Sequence, residues 1–316
     1  MIFADLKNDF VFRRIFATHP NILRGLLNDL LDRQGSQAIE AIEYLPSEQL
    51  PLVVGAKLSI LDVRCRDRSG TTFVVEMQLL HVSGFLNRVV YNACKAYVGQ
   101  IKRSEPYTRL TDVVAISICD FAIWADADQG AANLPRVPML SRWNMTERGS
   151  GNHGLLQVQY VFVELPKLPP RRPETGAELW AWLFVHTPEL SEVPPDLPFG
   201  PHREAVELAN EATFTQLELD AYQKVMDEIE QARQYGEDKR AEGKAEGEAE
   251  GEAKGKAKGK AEAILAVLAA RGIAVDSETR TRITVCVDGP TLDRWIARAA
   301  TAASAHEVMV ADSDHV

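Results

Sequence analysis

Three residues able to bind a divalent cation, Asp62, Glu76 and Gln78, lie on two short segments joined by a tight turn. Polar and apolar residues alternate along residues 57–67 and again along residues 71–79. Alternation on both sides of a three-residue loop that contains glycine is typical of a β-hairpin. The sequence therefore predicts that one pair of antiparallel strands brings these three side chains together.

A turn centred on Ser69 sets the pairing of the two predicted strands and places Asp62 opposite Glu76. Residues two apart on a strand share a face, so the hairpin divides into two faces. The apolar face holds Leu61, Val63, Cys65, Phe73, Val75 and Met77. The other face holds Asp62, Arg64, Glu76 and Gln78. A slip of one residue would mix the two sets, so their clean division supports this register.

The two facing carboxylates repel each other. With Cβ atoms about 5 Å apart and an effective dielectric constant of about 20, the repulsion costs about 3 kcal/mol. This cost predicts a proton or a cation between the charges. A site with oxygen ligands only suits Mg²⁺, which keeps several waters and binds substrate phosphates, and Mn²⁺ accepts the same ligands. The other interpretation is a solvated strand face on which Asp62 pairs with Arg64 or Arg66.

Residues 85–102 show the apolar spacing of an amphipathic helix. The apolar side comprises Phe85, Leu86, Val89, Val90, Ala93, Ala96, Tyr97 and Ile101. Side chains three or four apart form one stripe along a helix. The opposite side carries such a stripe, Arg88, Asn92, Lys95 and Lys102. The stripe is interpreted either as a DNA-binding surface that contacts phosphates or as an ordinary solvated face.

An aspartate, a hairpin turn and a Glu-X-Gln sequence resemble the PD-(D/E)XK nuclease core, in the variant with glutamine in place of lysine. With the hairpin, residues 5–16 and 88–97 are similar in sequence and order to the bacterial recombination-promoting nuclease and transposase family, the Rpn type. The resemblance covers residues 1–125. The Ala-Xaa-Gly-Xaa repeats near residue 250 are also similar to the tails of that family.

The resemblance implies an α/β fold, with a restriction-endonuclease-like core in which helices flank a mixed sheet, and a helical C-terminal extension. The sequence predicts its elements in the same order as in that core. They are helices at residues 9–16 and 22–31, the hairpin, a third helix and buried strands at 112–124 and 154–165. The implied activity is that of a Mg²⁺-dependent DNA endonuclease, a phosphodiesterase. The alternative is a DNA-binding or assembly protein that keeps the fold without catalysis. A more distant alternative is a scaffold whose helical tail is the functional part.

The resemblance also implies roles for individual residues. Asp62 and Glu76 would hold the metal, and the carbonyl group of Met77 would be a third ligand. Gln78 would orient the attacking water or the phosphate. Lys95 would supply the positive charge of the absent lysine. The third carboxylate would be Asp9, with Asp5 as its competitor.

The net charge of −10 is distributed unevenly. Residues 1–172 hold 20 Lys and Arg against 17 Asp and Glu, whereas the remaining residues hold 15 against 28. The predicted nuclease segment is therefore mildly basic, which permits binding to a phosphate backbone. No apolar run has the length of a membrane helix and the first residues lack a signal-peptide pattern, so we expect a cytoplasmic protein. Four scattered cysteines imply neither a zinc site nor disulfides.

Composition predicts five segments. They are a nuclease-like core at 1–172, a proline-rich connector and amphipathic helix at 173–240, a charged spacer at 241–260, a small helical cap at 261–303 and a tail at 304–316. Each glycine of the spacer costs about 1 kcal/mol relative to alanine, so a marginal helix or a semi-flexible linker is expected. Apolar residues between Leu217 and Ile229 form a helical stripe suited to a second copy. We therefore expect a homo-oligomer formed through the C-terminal helices.

Overall fold

The computed structural model describes residues 1–49, 59–124 and 136–309. The chain forms two compact units, Met1–Gln231 and Ala232–Val316. The strands are β1 Ile42–Tyr44, β2 Glu48–Gln49, β3 Ser59–Ile60, β4 Val63–Asp67, β5 Thr72–Gln78, β6 Val113–Cys119, β7 Leu140–Met145 and β8 Leu155–Glu164. The helices are α1 Asp9–Phe16, α2 Pro20–Leu30, α3 Phe85–Val98, α4 Gly176–His186, α5 Pro201–Leu208, α6 Gln216–Ala270, α7 Ser277–Val285, α8 Gly289–Ala299 and α9 Ala305–Met309. The first residues of the predicted hairpin, 57 and 58, and the end of the predicted tail lie outside the described residues.

The first unit contains a mixed sheet with the strand order β1-β4-β5-β6-β8-β7. The pairs β5–β6 and β6–β8 are parallel, and the other pairs of this sheet are antiparallel. Strand β6 is buried along its whole length, as expected for a central strand covered by helices on both faces. This arrangement confirms the predicted α/β fold with a mixed sheet flanked by helices.

The hairpin of β4 and β5 has the predicted register. Val63 pairs with Val75 and Cys65 pairs with Phe73. The turn passes through Gly70, whose φ of +93° is readily adopted only by glycine, and a Cβ atom there would lie 2.8 Å from the side chain of Thr111. The pairing is therefore fixed by the turn and by the alternation of the strands.

Leu61 corrects the predicted faces of the hairpin. The chain bends at Asp62, before β4 begins at Val63, so Leu61 does not continue the alternation of the strand. Its side chain is buried with Val74 and Phe85, on the side of the sheet that α3 covers. The rest of the predicted apolar face, Val63 to Met77, is buried against the opposite helices.

Helices cover both faces of the sheet. The large core on one face includes residues from α1, α2, α4 and α5, with Phe12, Phe16, Trp180 and Phe184 at its centre. Helix α1 begins at an Asn8 cap whose side chain accepts hydrogen bonds from the N–H groups of residues 10 and 11. Among the described residues, α3 provides the helical part of the smaller core on the other face. The sheet is thus held between two helical layers, and the hairpin of β4 and β5 lies inside the sheet, next to its edge strand β1.

The apolar stripe predicted for contact with a second copy packs in part against the same chain. Tyr222 lies against the core of the first unit, and its hydroxyl accepts a hydrogen bond of 3.2 Å from the N–H of Asp5. Arg14 of α1 binds Glu218 at 2.9 Å and so anchors the start of α6. Leu217, in contrast, is exposed. Tyr222 therefore attaches the start of α6 to the core of its own chain.

The second unit has a core of its own. Ala257, Ile264 and Leu268 of α6 are buried with Leu292 of α8 and Val308 of α9. The glycine-containing repeat lies within α6, where Glu250 pairs with Lys254 and Glu252 with Lys256, each at 2.5 Å. In the described part of the chain, no helix has both the length and the apolar character needed to cross a membrane.

Candidate active site

The predicted metal ligands meet at one end of the β4–β5 hairpin. Asp62 directly precedes β4, and Glu76 and Gln78 lie at the end of β5. The backbone N–H of Met77 donates a hydrogen bond of 2.8 Å to Oδ2 of Asp62. The Asp62 carboxylate is thereby held against the backbone between Glu76 and Gln78, so the structure brings these residues together.

Asp62 is linked to Asp9 through a guanidinium group. Arg13 of α1 contacts Oδ1 of Asp62 at 3.0 Å through Nη2 and Oδ1 of Asp9 at 3.1 Å through Nε. Burial, and to a lesser extent the charge of Asp9, raises the pKa of Asp62 to about 7, although the Met77 N–H and Arg13 oppose this shift. Asp9 therefore acts on the site electrostatically. Sequence reasoning missed Arg13, for which the four-residue spacing from Asp9 was the available signal.

Glu76 is held by α3 from the other side of the sheet. Its Oε1 accepts a hydrogen bond of 2.8 Å from Nδ2 of Asn92, and both side chains are buried. Burial raises the pKa of Glu76, while the Asn92 hydrogen bond and the charge of Arg88 oppose the rise. The two carboxylates thus have partners on different helices: Arg13 of α1 binds Asp62, and Asn92 of α3 binds Glu76. Burial disfavours the negative charge of both carboxylates.

A positive charge lies beside the glutamine that occupies the usual lysine position. The guanidinium of Arg88 donates a hydrogen bond to Oε1 of Gln78. Within the described residues, the buried Nε of Arg88 has no hydrogen-bond partner. Lys95 is also buried, with its ammonium group 5.7 Å from the centre of the Tyr91 ring. Arg88, which was predicted as a DNA contact, is therefore the cation observed in contact with Gln78.

The orientation of α3 agrees with the prediction at the buried Phe85, Val89, Ala93 and Ala96 and differs from it at four other residues. Asn92 and Lys95 were expected on the outer face but are buried, whereas Leu86 and Val90 were expected inside and are 41% and 46% exposed. Burying a carboxylate without a hydrogen-bond donor costs more folding free energy than leaving two aliphatic side chains partly exposed. Glu76 therefore determines which side of the helix faces the sheet. The helix also ends at Val98, and Lys102 lies exposed in the loop that follows.

Lys7 and Asp120 adjoin the site and were missed in the sequence. The backbone N–H of Asp120, just after β6, donates a hydrogen bond of 2.9 Å to the carbonyl of Gln78. Its carboxylate accepts one of 3.1 Å from Nζ of Lys7. Asp5, the competing third carboxylate, accepts a hydrogen bond of 2.9 Å from the N–H of Lys7. The signal for Asp120 was an acidic residue directly after a buried parallel strand, where sheet sites form.

The donor atoms near Asp62 and Glu76 suit a hard cation. Two carboxylates, the Gln78 amide and backbone carbonyls offer oxygen, the ligand atom that Mg²⁺ and Mn²⁺ prefer. Burial raises the pKa of both acids, and a divalent cation would offset this penalty on their charged forms. The described residues contain no cluster of three or more His, Cys, Asp or Glu side chains arranged for a metal. Such an ion would therefore keep several waters.

The raised pKa of Asp62 predicts that metal-free protein loses stability as the pH rises. Its folded-state pKa of about 7 exceeds the ordinary 3.8, so the folded state binds more protons than the unfolded state between these values. The contribution of Asp62 to the free energy of unfolding is fully present below pH 3.8 and is lost as the pH rises through 7. Asp62→Asn should therefore flatten the fall in melting temperature measured in EDTA between these pH values. The exposed Asp196→Asn is the control, and parallel curves for wild type and Asp62→Asn would contradict the prediction.

The comparison with protein families gives one match. A family model described as PD-(D/E)XK nuclease family transposase matches residues 6–239, well over half of the chain. No match was found to a curated protein or to a solved structure. The matched residues include the hairpin, α1 and α3, and therefore every side chain that contacts Asp62, Glu76 or Gln78 in the contacts given above.

Proposed function

Because this chain belongs to the PD-(D/E)XK nuclease family transposases, we propose that it is a metal-dependent DNA endonuclease that hydrolyses phosphodiester bonds. Membership confirms the resemblance predicted from the sequence and indicates a nuclease or transposase-like function. The observation that carries the finer proposal is the arrangement at the end of β5. There, the buried carboxylate of Glu76 and the largely buried carboxylate of Asp62 lie beside Gln78, and Arg88 provides a positive charge.

The carboxylates would hold the metal. Asp62 and Glu76, with the carbonyl of Met77, are the proposed ligands for Mg²⁺ or Mn²⁺. When bound, the ion supplies a Lewis acid that lowers the pKa of water and neutralises charge on the phosphate. The N–H of Met77 orients Asp62, and the amide of Asn92 orients Glu76. Hydrogen bonds of this kind fix the rotamers of ligands before substrate binds.

The uncharged Gln78 and the cations of α3 would act on the phosphate. Gln78 can donate a hydrogen bond through its amide nitrogen while its oxygen accepts one from Arg88. Arg88 would stabilise the negative charge that develops on the phosphate oxygens. We propose that Arg88, with Lys95 as a second cation, replaces the missing lysine. The exposed Lys102 would contact the DNA backbone away from the reacting atoms.

Nicking of supercoiled plasmid DNA is the test. We expect nicked and linear products with Mg²⁺ or Mn²⁺ and none in EDTA, at salt concentrations low enough for phosphate contacts to bind DNA. Binding to DNA without nicking under either metal would instead support the non-catalytic alternative. We also propose that the protein acts in the cytoplasm.

We also propose that the chain forms a homo-oligomer through its C-terminal helices. In the second unit, Val285 and Val287 are 70% and 72% exposed, next to the core residue Ile283. Light scattering should show at least a dimer at micromolar concentration. Charged residues at this apolar surface should be disfavoured in an interface, so Val285→Glu with Val287→Glu should shift the mass toward the monomer. Met145→Glu on β7 is the control, and a monomeric full-length protein would contradict the proposal.

A further inference from the structure

A cavity of about 930 Å³ lies within the first unit, between α4 and the segment that follows β8. Its wall includes prolines 166, 169, 170, 173, 194 and 198, which restrict the backbone around it. Leu168, Leu179 and Trp182 add apolar surface. This volume lies in the range of ligand-binding pockets, and none of the residues assigned to catalysis above lines it. We call it the α4 cavity.

The α4 cavity adjoins the active site through Asp120. Asp120 lines the cavity, and its N–H donates a hydrogen bond of 2.9 Å to the carbonyl of Gln78. Its carboxylate binds Lys7 at 3.1 Å. One residue, Asp120, thus belongs to the cavity wall and contacts the backbone of Gln78 at the end of β5.

Aromatic rings and an exchangeable guanidinium line the same cavity. The rings of Trp182 and His186 stack with centroids 4.8 Å apart and an interplanar angle of 9°. Arg172 pairs with Asp196 at 2.5 Å, and their side chains are 80% and 65% exposed. An ion pair this exposed is worth little, so a phosphate can replace Asp196 as the partner of Arg172. Aromatic rings beside a cation are the usual means of holding an unstacked nucleotide.

We propose that the α4 cavity binds one unstacked nucleotide of the DNA strand next to the phosphate that is cut. The base lies against the aromatic wall of Trp182 and His186, and the phosphate of that nucleotide binds Arg172. This inference rests on the proposed nuclease function. Because unpairing is least costly in mismatched or single-stranded DNA, such substrates are preferred over perfect duplex.

The test uses full-length protein carrying Glu76→Gln, so that cleavage does not consume the DNA. Fluorescence anisotropy compares a short single-stranded oligonucleotide with the same oligonucleotide bearing one abasic position, placed in turn along the strand. When the cavity residues are unchanged, the protein should bind the intact strand about tenfold more tightly than the strand with an abasic site at one particular position. Tenfold is the scale of one stacked base. Trp182→Ala should remove this difference and Trp182→Phe should preserve it. Arg172→Ala should weaken binding of both strands. The matched control, Arg148→Ala, should leave the binding of both strands unchanged.

Trp182 also packs against the core, so His186→Ala provides a second variant if Trp182→Ala fails to fold. A preference for the intact base that survives both Trp182→Ala and His186→Ala in folded protein would overturn the proposal, as would equal binding of intact and abasic strands at every position. Neither result depends on cleavage. A plasmid that is not nicked by wild-type protein would count against the nuclease function alone, because the base preference is measured without catalysis.

Discussion

Replacing Glu76 with glutamine is expected to reduce metal-dependent nicking of plasmid DNA by about a thousandfold or more, because loss of a charged ligand forfeits several kcal/mol of transition-state stabilisation. Glutamine has nearly the same shape, and its amide oxygen can still accept the 2.8 Å hydrogen bond from Asn92. The fold should therefore persist. In EDTA the melting temperature should be unchanged or higher, because the variant no longer buries an acid whose pKa is raised.

Asp62→Asn should cause a similar loss of nicking, since Asp62 is the other proposed charged ligand. The control is Glu43→Gln on β1, which removes an exposed ion pair with Arg66 of 2.8 Å and should leave the rate unchanged. Rates are measured from supercoiled to nicked plasmid under single-turnover conditions. Wild-type nicking by either Glu76→Gln or Asp62→Asn, in preparations free of other nucleases, would refute the assignment of the metal ligands.

Removal of the Arg88 side chain is the second change with a large expected effect. Arg88→Ala should lower the single-turnover rate by about 100- to 1000-fold, the range found when one donor to a developing oxyanion is lost. Lys95→Ala should also cost more than Lys102→Ala, because Lys95 is buried and Lys102 is exposed. Lys102→Ala should mainly weaken DNA binding and reduce the slope of its salt dependence by about one.

Moving the positive charge from position 88 to position 78 tests whether Arg88 acts in catalysis or only in the structure. Gln78→Lys alone should give little gain, because the new ammonium would lie beside the guanidinium that now contacts Gln78. The double variant Gln78→Lys with Arg88→Ala should recover much of the rate that Arg88→Ala loses, because it restores one cation at this place. If the double variant is no faster than Arg88→Ala, while both melt like wild type, Arg88 does not act through its charge.

The sequence by itself determined the hairpin and most of the fold. The register of β4 with β5 follows from a local turn at Gly70 and from alternation on both sides of it, and a slip would exchange its faces. Helices α1 and α2 and strands β6 and β8 follow from periodicity and apolar runs within single segments. The family is a matter of resemblance, carried by Asp62, Glu76 and Gln78 together with residues 5–16 and 88–97, and the match to residues 6–239 confirms it.

The tertiary structure decided which groups surround those three residues. Periodicity alone predicts that the whole apolar stripe of α3 faces the sheet. Phe85, Val89, Ala93 and Ala96 do so, but Leu86 and Val90 do not. Because β5 presents the buried Glu76 and the half-buried Gln78 to this helix, Asn92 and Arg88 turn toward the sheet. The requirement for donors at a buried carboxylate outweighed the cost of exposing Leu86 and Val90.

Local sequence patterns could not predict the contacts that Arg13 and Lys7 make with distant segments of the chain. Arg13 reaches Asp62 and Lys7 reaches Asp120 because the chain brings together segments that are 49 and 113 residues apart. Spacing within a segment predicts neighbours three or four residues away, but it carries no information on which distant segment covers a given charge. The sequence therefore indicated Asp62 and Glu76, and only packing of the helices against the sheet specified the partners of these two residues.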